Sequence, residues 1–95
     1  MNYKEKKILI LDDNPEILEM VQESLNIAGF SNLTSVQSQK EALEQFEEKS
    51  FDLVILDIML PEGSGFEVLK GIRKTSTVPV LFLSAISDIE KQYQG

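Results

Sequence analysis

The chain has 95 residues, 42% of them hydrophobic and 26% charged, with 16 acids against 9 bases for a formal net charge of −7. That is the balance of one small globular domain, and its acidity argues against nucleic-acid binding by this segment, because phosphate backbones attract basic surfaces. Cysteine and histidine are both absent, which excludes disulfides, thiolate or imidazole metal ligands and histidine general bases. No apolar run approaches the roughly 20 residues that span a bilayer. MNYKEKK leads directly into a strand-like run without a signal-peptide apolar core, so a cytoplasmic protein with no membrane partner is expected.

Residues 7–12 (KILILD) read as a short buried strand. Asn14-Pro15 opens a helix, Asn as N-cap and Pro at the first helical position. Ile17, Val21, Leu25 and Ala28 keep helical spacing, and Gly29 is a stop signal. NLTSV at 32–36 is a weaker second strand. Ser38 can cap a helix from about Gln39 to Lys49, with Ala42, Leu43 and Phe46 inward. Residues 52–57 (DLVILD) are the third strand, followed by a loop over 59–64. Gly65 to Lys74 is a third helix presenting Phe66, Val68, Leu69 and Ile72. TVPVLFLS at 77–84 is the fourth strand, and residues 86–94 begin a fourth helix.

Strand and helix therefore alternate four times. Continuous apolar runs suit strands covered on both faces, so the alternation predicts an α/β parallel sheet with helices on each side. Ligands of such sheets sit at the carboxyl ends of strands. Asp12 and Asp13 end the first strand, Asp57 the third and Ser84 the fourth, so all four polar groups are expected at one edge.

Three carboxylates at one place repel one another unless a positive group joins them. No basic residue stands at any of the four strand ends. A hard divalent cation with oxygen ligands meets the need. A carboxylate beside that cation can also act as a nucleophile on phosphorus, giving an acyl phosphate. The plainer readings are capping by Asp57 of the loop after it, helix capping at 12–14, a solvated turn serine at 84, and turn chemistry at Leu60-Pro61 and Gly63. Acids commonly end strands, and Asp57 alone would favour the capping reading. Its convergence with Asp12 and Asp13 favours the chemical one. The acids of the second helix, Glu41, Glu44, Glu47 and Glu48, read as a solvated face, and Glu16 as an acid placed for the helix dipole.

These stretches, in this order, resemble the receiver domain of bacterial two-component response regulators. ILILDDNPEI resembles that family's first strand and acidic pair. FDLVILDIMLPEGSGFEVLKGIR resembles its phosphoacceptor strand, Leu-Pro loop and third helix, and VPVLFLSA its fourth strand with a hydroxyl residue. The likeness runs from Lys7 to about Gln94. It implies a flavodoxin-like, doubly wound parallel sheet of strand order 2-1-3-4, with the family's fifth strand and helix falling beyond Gly95, and hence one receiver domain over 1–95 that is incomplete at its C-terminus. It implies that Asp57 accepts a phosphoryl group from a sensor histidine kinase, that Ser84 is the switch hydroxyl, and that Mg²⁺ (or Mn²⁺) is held by Asp12, Asp13, Asp57 and the backbone carbonyl of Met59. It further implies a regulatory switch rather than an enzyme acting on an external substrate, with a DNA-binding output domain outside this chain.

Two departures shape the expectations. The family's fifth strand carries a lysine and an aromatic switch residue, and this chain shows neither; Lys91 falls in the fourth helix. Phosphoryl transfer to Asp57 is then expected to be slow. The fourth strand is expected to form an open edge, inviting homodimerisation through it or the surrounding surface. The alternative is a receiver-like interaction module that works without phosphorylation. A metal-dependent phosphohydrolase is disfavoured, because that class wants a second acid where Met59 stands.

Overall fold

A computed structural model of the chain describes residues 3–60 and 63–83. After a short 3₁₀ turn at Tyr3–Glu5 come β1 (Lys7–Leu11), α1 (Pro15–Ile27), β2 (Asn32–Val36), α2 (Gln39–Glu48), β3 (Leu53–Leu56), β4 (Met59–Leu60), β5 (Gly63–Ser64), α3 (Gly65–Arg73) and β6 (Val80–Phe82). β2, β1, β3 and β6 form a four-stranded sheet in that order, and its three pairings are parallel. This is the expected order 2-1-3-4, β6 being the fourth strand in the reading from sequence.

The period-two alternation of side chains along a strand divides the apolar residues between the two faces. Leu9 and Leu11 of β1 join Val36, Val54 and Leu56 on one face, where Ala42 of α2 and Val68 and Ile72 of α3 cover them. Ile8, Ile10 and Ile55 point to the other face and meet Leu18 of α1. Ile8, Leu9, Ile10, Leu11, Val54 and Leu56 are all essentially fully buried. Covering on both faces is why these strands read as continuous apolar runs.

The helix ends follow local chemistry. Asn14 caps α1, its side-chain oxygen accepting from the Glu16 N–H at 2.9 Å, with Pro15 as the first helical residue. Such a cap stabilises by about 1 kcal/mol. At the other end Gly29 adopts φ +108°. The Phe30 N–H bonds the Leu25 carbonyl and the Gly29 N–H that of Asn26, the paired bonds of a Schellman stop. Ser38 caps α2 by accepting from the Glu41 N–H.

Four details differ from the reading above, the first being that the fourth strand, expected over 77–84, is confined among the described residues to Val80–Phe82. Leu18, not Ile17, is the buried anchor of α1, and Ala28 is exposed. Phe66 of α3 is 48% exposed, its ring tilted 44° against that of Phe82 at 4.9 Å between centroids, while Val68 and Ile72 carry the helix's burial. The expected loop at 59–64 contains an antiparallel pair, Met59 with Ser64 and Leu60 with Gly63. A pair held by so few ladder bonds has no periodic signature in sequence. Ser84, Ala85 and the helix expected over 86–94 lie outside the described residues. Among the described residues, no helix is long and apolar enough to cross a membrane.

Candidate functional site

The acids converge because of strand register. Leu11 is the partner of Val36 on one side and of Leu56 on the other. The next residues continue the ladder: the Asp12 N–H bonds the Val36 carbonyl at 3.2 Å and the Asp57 N–H bonds the Leu11 carbonyl at 2.9 Å. Two strands lying about 4.8 Å apart thus deliver Asp12 and Asp57 side by side at the carboxyl edge. Asp13 follows at the same edge. One carboxylate oxygen from each of Asp12, Asp13 and Asp57 lies within 4.8 Å of the others.

The three acids are not equivalent. Asp12 is 2% exposed, Asp57 half-buried and Asp13 exposed. Asp12 accepts a hydrogen bond from the Asn14 N–H at 2.9 Å, which orients it and ties it to the start of α1. Burial pushes the Asp12 carboxyl above the ordinary carboxylate value, and the charges of Asp57 and Asp13 push the same way against the opposing Asn14 bond. The folded chain therefore holds a proton on Asp12 more tightly than the unfolded chain does. Below the unfolded value both states are protonated and nothing is lost. As pH rises from there through the folded value, stability falls, and at neutral pH the ionised group is a standing cost.

A prediction follows for the protein without divalent cation. Asp12→Asn removes that cost while keeping the oxygen that Asn14 bonds. It is expected to raise Tm at pH 7 by a few degrees, on a scale where ~1 kcal/mol moves a domain of this length by about 4–8 °C. The gain should vanish below about pH 4, where unfolded aspartate is also protonated. Thermal melts of both proteins across pH, with a chelator present, check this; an equal or lower Tm for the variant at pH 7 would refute it.

The donor set fits a hard cation. All three candidate donors are carboxylate oxygens. Around Mg²⁺, with bonds of about 2.0–2.1 Å, neighbouring oxygens stand about 2.9 Å apart and opposite ones about 4.2 Å, so the acids would share an ion by drawing closer or through a bridging water. The mutually repelling acids, with Asp12 buried among them, gain most where a positive charge enters. Glu16 is exposed on the first turn of α1, as read from the sequence.

Met59 lies two residues after Asp57, in the antiparallel pair that follows β3. The Gly65 N–H bonds the Ile58 carbonyl at 2.9 Å, flanking the Met59–Ser64 pair. That makes it the antiparallel pair type whose two residues do not bond each other, so the Met59 carbonyl is not spent on Ser64.

The reading from sequence did not single out the space requirement at Gly65. This residue is buried at the first position of α3, and a Cβ there would stand 2.2 Å from the Asp57 carbonyl oxygen. Its trace in the sequence is a glycine at a helix start, where propensity prefers almost any other residue. Concavity alone would also mislead. A groove of about 380 Å³ lined by Phe46, Glu47, Lys49, Phe51, Thr75 and Ser76 lies ahead of β3 and β6, away from the acids.

Comparisons with known proteins agree with this geometry. The sequence model of the response regulator receiver domain matches residues 8–95. The chain is 44% identical over 89 residues to the uncharacterized transcriptional regulatory protein YrkP of Bacillus subtilis, covering 94% of this chain and 38% of that protein. It is 36% identical over 94 residues to the probable transcriptional regulator ycf27 of Cyanidium caldarium, covering 99% of this chain and 37% of that protein. It thus spans a little over a third of the length of these relatives. Among solved structures it resembles the response regulator TrrA of Thermotoga maritima in complex with Mg²⁺ and BeF, with a TM-score of 0.74 and 39% identity over 79% of this chain and 65% of that one. It resembles TrrA in complex with the histidine kinase ThkA at a TM-score of 0.75 and 38% identity, over 81% of this chain and 66% of that one.

Proposed function

The chain belongs to the response regulator receiver domain family, a family of phosphorylation-dependent switches rather than enzymes, and from that membership we propose that Asp57 accepts a phosphoryl group from a sensor histidine kinase and relays the change to an output domain or partner. The convergence of Asp12, Asp13 and Asp57 carboxylate oxygens within 4.8 Å carries this reading. A kinase as donor is supported by the structure of TrrA with ThkA. A DNA-binding output is supported by relatives named transcriptional regulators. Such a relay would operate in the cytoplasm.

The chemistry assigned to the chain's own groups is simple. A carboxylate oxygen of Asp57 attacks phosphorus; the new P–O bond forms as the P–N bond to the kinase histidine breaks, and the leaving imidazole keeps the electron pair and takes up a proton. Water later cleaves the acyl phosphate and restores the carboxylate. Asp12, Asp13, Asp57 and the Met59 carbonyl are the proposed holders of a Mg²⁺ (or Mn²⁺) ion. When bound, that ion would neutralise the clustered acids and the charge on the transferring group. Ser84 is the proposed hydroxyl donor to the phosphoryl oxygens.

The test is incubation with Mg²⁺ and a small acyl phosphate, read by intact-protein mass spectrometry. One added phosphoryl group is the expected result, with none when a chelator replaces the metal. No adduct, either in this chain or in a longer protein containing it, would overturn the phosphoacceptor reading and favour an interaction module that works without phosphorylation.

A further inference from the structure

A side chain from the far edge of the sheet reaches the segment that follows Asp57. Gln39 is the first residue of α2, directly after β2. Its Nε2 donates to the Ser64 carbonyl at 2.8 Å in a half-buried bond and approaches the Glu67 carboxylate at 3.3 Å. These contacts span 25 and 28 residues of sequence, so they tie the start of α2 to the β5–α3 junction, which the backbone alone leaves independent.

Ser64 sits where three features meet. It is the partner of Met59 in the antiparallel pair. Its hydroxyl caps α3 by accepting from the Phe66 N–H at 3.1 Å. It precedes Gly65, which packs against the Asp57 backbone and bonds Ile58. Gly63, with φ +151°, leaves the space in which Gln39 lies: a Cβ there would meet Gln39 Nε2 and Glu67 Oε2 at 3.0 Å each. A residue with a Cβ at 63 would press against the amide that holds Ser64.

We propose that Gln39 is a positioning residue of the acidic site, its side-chain amide anchoring Ser64 and so fixing both the β4–β5 pair that carries the Met59 carbonyl and the start of α3 beside Asp57. The proposal rests on the receiver reading for its consequence at the metal, but the anchoring is a property of the chain alone. Losing one such bond allows local opening without unfolding the sheet, since Gln39 contributes nothing to the apolar core.

Gln39→Ala, with Gln39→Lys as the variant that restores a donor, separates these. In metal-free protein, amide exchange at Gly65 should quicken roughly three- to tenfold in Gln39→Ala, the population shift expected for one lost hydrogen bond, while exchange at Leu9 and Val54 stays unchanged. Gln39→Lys should return Gly65 toward the parent rate. In a Mg²⁺ titration followed by calorimetry, Gln39→Ala should bind several-fold more weakly than the parent protein. Unchanged Gly65 exchange in Gln39→Ala, an equal acceleration at Gly65 and the core amides, or no recovery in Gln39→Lys would each overturn the proposal. If the parent protein binds no Mg²⁺, the receiver reading fails instead, and Gly65 exchange still decides whether Gln39 anchors the segment.

Discussion

Asp57→Ala is expected to abolish phosphoryl uptake completely. Transfer needs an oxygen nucleophile at the carboxyl edge that a donor can approach, and alanine supplies none. The neighbouring acids are poor substitutes. Asp12 is almost wholly buried and holds its proton above the ordinary carboxylate value. Asp13 is exposed and leads into the capped start of α1 rather than ending β3. The same substitution removes one of the charges that push Asp12 upward, so the metal-free variant should melt no lower than the parent at neutral pH. Loss of the adduct with an intact melt is therefore the expected pair of results. An adduct of undiminished yield on Asp57→Ala would place the chemistry on another carboxylate and sink the assignment.

Among the described glycines, Gly65→Ala is expected to be the most damaging substitution. Helix propensity predicts the opposite sign, since alanine is favoured over glycine by up to ~1 kcal/mol within a helix. Against that stands the backbone. The added Cβ would lie 2.2 Å from the Asp57 carbonyl oxygen, 3.0 Å from its carbon and 3.3 Å from the Ile58 Cα. None of these atoms belongs to a side chain that can swing aside. Either α3 backs away, breaking the Gly65–Ile58 bond and opening the face covered by Val68 and Ile72, or the end of β3 shifts and takes Asp57 with it. Overpacking of this kind costs about 1–3 kcal/mol and sometimes more, or roughly 4–8 °C of Tm per ~1 kcal/mol at this chain length. Phosphoryl uptake should fall as well, because the displaced group is the proposed nucleophile. Urea and thermal melts with the mass assay check both; a Tm equal to or above the parent's would show that propensity, not contact, governs this position.

These predictions differ in how much of each could be read in advance. The placement of Asp57 beside Asp12 and Asp13 was legible because two periodicities coincide. Apolar runs alternating with helical patterns give a parallel sheet, and a parallel sheet gathers its strand ends at one edge. The boundaries of β1, β3 and the capped helices followed from the same local rules, with Asn14-Pro15, Ser38 and Gly29 acting as expected. The loop after Asp57 was legible only as a turn. Its short pairing and its close approach at Gly65 depend on atoms brought together by folding.

By itself the sequence determined the α/β class and the identity of the three acids, because these depend on composition and on periods of two and 3.6 residues along one chain; the strand order followed from its resemblance to a family. Only the tertiary structure decided that Asp12 is the buried acid and Asp13 the exposed one, that Gly65 must lack a side chain, and that Gln39 reaches Ser64. The physical reason is common to all three. Desolvation, close contact and a hydrogen bond between distant residues are properties of distances across the fold, and no local pattern along the chain records them.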